Sequence, residues 1–267
     1  PVALGIVLLM GIGPLIAWRR ASAEHLRRNF LAPGAAGVLA GAVLIAAGMR
    51  SPGAVLAFAL CAFVAGTVAL EFARGVRVRR AHQGEGTAAA LFGLVLRNRR
   101  RYGGYIVHLG MLRLVCGITG SSVFATQRVA TLAPGEAAAV GEYRVRFDGL
   151  SETTRGGALS IVARLRVFAG RRDLGAFDTS RNLYLTSQDS TTDVALRSTA
   201  RDDLYVILAG WTPEGRATLR ILVNPLMMWM WAGGLVLTLG AVIAMAPERR
   251  TLRAGVPAFG GAWGTLR

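Results

Sequence analysis

Long apolar stretches, separated by short arginine-rich segments, dominate the pattern of this sequence. A bilayer core of ~30 Å requires roughly 20 apolar residues in helical form. Five stretches reach or approach that length, and we predict that each is a membrane-spanning helix. The predicted spans are residues 1–18, 33–49, 53–72, 103–124 and 225–246.

A region of different character, residues 127–224, lies between the fourth and fifth predicted spans. Here apolar and polar residues alternate, as in Tyr143–Asp148 and Ala163–Val167. This alternation is typical of strands with one buried and one solvated face, and Gly156-Gly157 and Ala169–Arg171 provide turns between them. We therefore predict an all-β domain, either a small barrel or a sandwich. Further strands are predicted at Asn182–Thr186, Leu204–Leu208 and Ala217–Val223.

The arginines between the predicted spans indicate the orientation of the chain in the membrane. All 31 basic residues are arginine, and the net charge is +16. Arginines cluster in residues 19–32 and 73–102 and in the tail 247–267, whereas the second loop holds only Arg50. The positive-inside rule makes these clusters cytoplasmic and places the β domain outside. The predicted fold class is a polytopic α-helical membrane protein with an inserted periplasmic all-β (small barrel or sandwich) domain.

Composition supports the membrane assignment and narrows the functional classes. The chain is 53% hydrophobic and only 17% charged, less charged than a typical soluble protein. Its basic excess lies in short loops between apolar stretches, so no nucleic-acid-binding face is predicted. Cys61 and Cys116 fall inside apolar stretches and are interpreted as small buried residues. Because the sequence begins, at Pro1, within an apolar stretch, we expect it to be a C-terminal fragment of a longer polytopic protein.

His108 is the candidate for chemistry, because an ionisable side chain inside a membrane helix is expensive to bury. Gly104 lies one turn earlier on the same helical face, and Gly103 and Gly110 are close by. Small residues beside a histidine allow a flat macrocycle to approach, which suits axial ligation of haem iron. The alternative is glycine-mediated packing between helices, with His108 hydrogen-bonded to a neighbouring helix. Arg113 lies about 140° around the helix from His108. It is expected either to meet a carboxylate or a polar cavity elsewhere in the full protein or to be a peculiarity of this sequence.

Several other residues have simpler interpretations. His25 and His82 lie among arginines and are expected to be solvated, and Leu91–Leu96 is a candidate interfacial helix. Tryptophans near the ends of spans are typical of the aromatic belt. Acidic and aromatic residues of the β domain are either a docking site for a partner chain or part of the scaffold. The tryptophans are Trp18, Trp229 and Trp231, and the β-domain residues are Asp202, Asp203, Tyr205 and Trp211.

Five motifs occur in order along the chain: Gly11–Arg20, Arg101–Gly110, Gly117–Ser122, Asp203–Val206 and Asn224–Gly234. Together they resemble the CcmF-type (NrfE-like) haem lyase subunits of cytochrome c biogenesis. The similarity extends over nearly the whole chain, as far as about Pro247.

The resemblance implies a bacterial inner-membrane protein that attaches haem to the Cys-x-x-Cys-His motif of exported apocytochromes c. His108, in its His-Leu-Gly setting, matches an axial ligand of the family's structural haem b. The implied partners are apocytochrome c and the haem chaperone and thiol-reducing subunits of the maturation system. The family's tryptophan-rich outer segment and the second haem b histidine do not occur in this sequence. The chain alone is therefore expected to be inactive.

Two other functional classes remain open at this point. A transporter or channel subunit would use the outer domain as a gate, but it should contain internal repeats and interrupted helices. A structural assembly platform would use the same domain only for docking. Binding of haem through His108 distinguishes the lyase from both alternatives.

Overall fold

The computed structural model describes residues 2–13, 23–155, 158–184 and 189–247. An α-helical bundle precedes a β-sandwich, and one further helix follows it. The helices are α1 (Val2–Ile12), α2 (Ala23–Ala46), α3 (Pro52–Gln83), α4 (Thr87–Arg97), α5 (Arg99–Phe124) and α6 (Met227–Met245). Four of them contain segments long and apolar enough to cross a membrane, namely Asn29–Ala46, Pro52–Gln83, Arg99–Phe124 and Met227–Met245.

Several helices extend beyond the apolar segments that predicted them. Helix α3 continues past Phe72 through an arginine-rich segment, because arginine is a good helix former. It ends where Gly84 adopts the left-handed conformation (φ 65°) and donates its N–H to Arg80 O, the usual glycine C-cap. Helix α2 begins at Ala23 and contains Pro33. The segment proposed as an interfacial helix is part of α4.

Nine strands form two antiparallel sheets within the described residues, so the β domain is a sandwich rather than a barrel. One sheet has the order β1-β9-β8-β7 and the other the order β2-β3-β4-β5-β6. The strands are β1 (Thr126–Leu132), β2 (Ala137–Val140), β3 (Tyr143–Arg155), β4 (Ala158–Ala169), β5 (Arg172–Tyr184), β6 (Ser190–Asp193), β7 (Ala195–Ser198), β8 (Asp202–Trp211) and β9 (Ala217–Pro225).

The core of the sandwich consists of the alternating apolar residues that predicted the strands. Val145, Phe147 and Leu165 of one sheet are fully buried, as are Leu219 and Ile221 of the other. Burial of such side chains contributes roughly 1.5–3 kcal/mol each and is the main stabilising term of this domain. The predicted turn at Gly170 joins β4 to β5 with a positive φ of 57°.

The sandwich is held between two helices that pack on each other. Ala125 alone separates α5 from β1, and Leu226 alone separates β9 from α6. Because β1 pairs with β9, the two strands continue the α5–α6 pair out of the helical bundle. Leu226 adopts a positive φ of 62° at this corner, and its side chain fills the space over Gly120.

Some predicted features lie outside the described residues. They are the turn at Gly156-Gly157, Trp18, the side chain of His25 and the tail 248–267.

Candidate functional site

His108 lies on α5, at the end of the bundle opposite to the sandwich. Its Nδ1 is 2.7 Å from the carbonyl oxygen of Gly104, one turn earlier on the same helix. Since a carbonyl oxygen can only accept a hydrogen bond, Nδ1 carries the hydrogen and Nε2 keeps its lone pair. Metal-binding histidines are typically oriented by such a bond to a backbone carbonyl. The half-buried imidazole is therefore in the tautomer that presents Nε2 to a metal.

The glycines near His108 have two different roles. A Cβ atom on Gly103 would collide with the backbone of Ala244, and one on Gly110 would collide with that of Leu237. These glycines bring α5 and α6 into close contact, as the packing alternative predicted. Gly104 has open space where a Cβ would be. The helix surface at Gly104, one turn from His108, is thus open, which leaves room for a ligand on this side.

A buried carboxylate that was not predicted from the sequence, that of Glu71, is linked to His108 through Tyr105. Glu71 of α3 is only 7% exposed, and its carboxylate accepts hydrogen bonds from Arg101 and from the Tyr105 hydroxyl, the latter at 3.2 Å. Arg74 also donates to Glu71, at 3.3 Å, and to Asn29 Oδ1, at 2.6 Å. The tyrosine ring packs edge-on against the His108 ring, with centroids 6.3 Å apart. This network fixes the surroundings of the imidazole.

The sequence did contain a signal for Glu71, namely its position in an apolar stretch. The sequence Thr67–Phe72 contains this single carboxylate within an otherwise apolar segment. An intramembrane carboxylate is a functional candidate by default. Its cationic partner Arg101 is 30 residues away in sequence, so its pairing was not visible.

Arg113 contacts an aromatic ring of α6. This partner is neither of the two that were predicted, a carboxylate or a polar cavity. Its guanidinium lies 5.1 Å from the centroid of Trp229 on α6, a favourable cation–π arrangement. Both side chains border an apolar cavity of about 680 Å³, which Cys61 and Cys116 also line. The cysteines are free thiols. Arg113 belongs to this cavity and not to the His108 site.

The acidic residues of the β domain serve its scaffold. Asp202 is 6% exposed and accepts hydrogen bonds from the hydroxyls of Tyr143, at 2.7 Å, and Thr199, at 3.0 Å. Burial and the bond to Asp202 raise the pKa of Tyr143 to about 12, against the opposing effect of Arg197. Asp203 is equally buried. The hydrogen bonds of Asp202 fit the scaffold interpretation, whereas Asp203 Oδ1 is buried without a hydrogen-bond partner among the described residues.

Comparison with known proteins shows similarity to proteins of cytochrome c biogenesis. Residues 123–225 match the family described as the CcmF C-terminal beta-sandwich. The chain is 28% identical over 260 residues to the cytochrome c-type biogenesis protein CycK of Rhizobium meliloti, covering 96% of this chain and 37% of that protein. It is 26% identical to the cytochrome c-type biogenesis protein CcmF of Haemophilus influenzae, covering 91% of this chain and 36% of that protein.

A solved structure is similar over the same extent. The cytochrome c haem lyase CcmF superimposes with a TM-score of 0.76 at 28% identity, covering 92% of this chain and 39% of that structure. The chain thus combines apolar helices with a β-sandwich that matches the family's C-terminal domain. It is similar to the C-terminal portion of CcmF-type proteins, and it spans little more than a third of the length of the relatives it matches.

Proposed function

We propose that this chain is the C-terminal part of a cytochrome c maturation haem lyase and that it holds a haem b through His108. The haem lyase would help attach haem to the Cys-x-x-Cys-His motif of apocytochrome c at the outer face of the bacterial inner membrane. The observation that carries the proposal is the geometry at His108. An oriented imidazole with its Nε2 lone pair free lies beside the open surface at Gly104.

The residues around His108 fit an axial ligand site. The bond from Nδ1 to Gly104 O sets the ring orientation and raises the basicity of Nε2. Tyr105 donates a hydrogen bond to Glu71, and its ring packs edge-on against the imidazole of His108. Haem b bound here supplies a one-electron redox centre within the membrane. The second axial ligand and the tryptophan-rich haem-handling segment would come from the remainder of the maturation machinery.

The proposed topology places the sandwich in the periplasm. The arginine clusters of α3, α4 and the start of α5 lie at the opposite end of the bundle from the sandwich, as the positive-inside rule requires for that orientation. In this position the sandwich would meet apocytochrome c and the haem chaperone and thiol-reducing subunits. The α5–α6 pair would link events at the sandwich to the haem site, because it connects both.

Absorption spectra of the protein purified from its native membranes test this proposal. The reduced-minus-oxidised spectrum should contain the bands of a b-type haem, and His108→Ala should abolish them. His82→Ala is the matched control, because His82 also bonds through Nδ1 to a carbonyl oxygen one turn earlier but is exposed. A haem spectrum that survives His108→Ala in a folded protein would refute the assignment.

A second variant tests the role of the open surface. Gly104→Leu should place a side chain where the macrocycle would lie and so reduce haem content while the helix remains folded. Haem content unchanged by Gly104→Leu would show that haem does not approach this face.

A further inference from the structure

A basic cleft lies between α3, α4 and α5, at the end of the bundle opposite to the sandwich. Its volume is about 530 Å³, and its charged lining consists of Glu71, Arg74, Arg79, Arg97 and Arg101, with His82 and Tyr102 as further titratable groups. The cleft shares Glu71, Arg74 and Arg101 with the network beside His108, whereas Arg79, His82 and Arg97 have no role in the His108 proposal. Four arginines against one glutamate make the lining cationic.

The ion pairs within the cleft leave an excess of positive charge. Glu71 is the one carboxylate of the lining, and it interacts with both Arg74 and Arg101. Arg79 forms two hydrogen bonds, of 2.8 and 3.0 Å, with Glu85 outside the lining. Arg97 forms no side-chain hydrogen bond within the described part of the chain. Its guanidinium is therefore available to an anion that enters the cleft.

Helix α4 indicates the depth of the cleft in the membrane. Ala90 and Leu94 are buried on one side of this helix, whereas Leu91, Phe92 and Leu96 are exposed, Phe92 by 70%. A short helix with an exposed apolar face and a basic end is typical of the membrane interface. The cleft also includes the first turn of α5 and the last turns of α3, where membrane helices reach the headgroups.

We propose that the basic cleft binds the phosphate of an anionic phospholipid headgroup in the leaflet opposite to the sandwich. Basic pockets between membrane helices are suited to such headgroups, and guanidinium groups bind phosphate oxygens through paired hydrogen bonds. A lipid in the cleft would bridge α3, α4 and α5 at a point where their arginines otherwise repel one another. The site would thus stabilise the arrangement of helices around Glu71.

Binding of fluorescent phosphatidylglycerol to the delipidated protein in detergent tests this inference. We expect tighter binding of phosphatidylglycerol than of phosphatidylcholine, and about fivefold weaker binding in Arg97→Gln, the effect of one interfacial charge. Arg97→Lys should restore part of the affinity, because it restores the charge but not the paired hydrogen bonds. Arg77→Gln is the matched control, since Arg77 lies on α3 outside the lining of the cleft.

Three results would overturn the proposal. Equal affinity for phosphatidylcholine would exclude selection for an anionic headgroup. Equal weakening by Arg77→Gln would indicate diffuse surface charge instead of a defined site. Displacement of the lipid by inorganic phosphate, with Arg97→Gln weakening phosphate binding equally, would assign the cleft to a free anion. Because none of these measurements requires haem, their outcome is separate from that of the His108 assignment.

Discussion

The hydroxyl of Tyr105 on α5 donates a hydrogen bond to the carboxylate of Glu71 on α3, over 3.2 Å. Through this bond a buried carboxylate is joined to the residue whose ring packs against His108. Arg101 donates to the same carboxylate oxygen. The candidate ligand is therefore supported by two helices, and its environment depends on residues far from it in sequence.

Removal of the Glu71 carboxylate should destabilise the helical bundle. Glu71→Ala would leave the Tyr105 hydroxyl without its buried acceptor and would place Arg74 and Arg101 together without a counter-charge. We expect a loss of about 2–3 kcal/mol, typical of hydrogen bonds to a charged group, measured by thermal unfolding in detergent. Glu85→Ala is the control and should have a smaller effect, because the Glu85 side chain is 31% exposed against 8% for Glu71. Equal effects of the two variants would contradict the structural role of the network.

The contact between α5 and α6 predicts opposite effects for two glycines on the same helix. Gly110→Ala should destabilise the protein by about 1–3 kcal/mol, because the new methyl group would be forced into the backbone of α6. Gly104→Ala should be neutral or should stabilise the helix by about 0.5–1 kcal/mol, because the site is open and alanine restricts the unfolded chain. Unfolding in detergent measures both. A larger loss in Gly104→Ala than in Gly110→Ala would contradict the helix packing described here.

Tyr143 should make the β-sandwich sensitive to alkaline pH. Its pKa is raised from an ordinary value of 10.0 to about 12 in the folded protein, so the folded state favours the neutral phenol. The stabilisation that this pKa difference gives to the folded state is fully present below pH 10 and is lost as the pH rises through about 12. Tyr143→Phe should lower the free energy of unfolding near pH 8 by about 1 kcal/mol. It should also reduce the further loss of stability at alkaline pH. The measurement is circular dichroism of unfolding at several pH values, with Tyr184→Phe as control, because Tyr184 is an exposed tyrosine of the same domain. An identical alkaline loss in Tyr143→Phe and the unmodified protein would exclude this role.

Much of the fold could be predicted because its signals are local. The alternation in Tyr143–Asp148 and Ala163–Val167 reflects the two faces of strands, and the apolar stretches reflect the thickness of a bilayer. The sandwich could not be distinguished from a barrel, since that depends on which strands pair. The pairing of β1 with β9 joins residues such as Thr126 and Val223, which are distant in sequence.

The candidate site was predictable only in part. The separation of His108 and Gly104 by one helical turn correctly placed them on one face. The same periodicity could not show that Gly103 and Gly110 face α6 while Gly104 faces open space. The partners of Glu71 and the contact of Arg113 with Trp229 depend on packing between helices, for which a single sequence contains no direct signal.

Chemical rescue of a cavity variant tests axial ligation by His108 most directly. His108→Gly, purified from its native membranes, would remove the imidazole and leave room for a free one next to Gly104. The b-type haem spectrum should be lost or shifted in this variant and should return when imidazole is added. An unchanged spectrum in His108→Gly without imidazole would contradict the claim that His108 binds the haem iron.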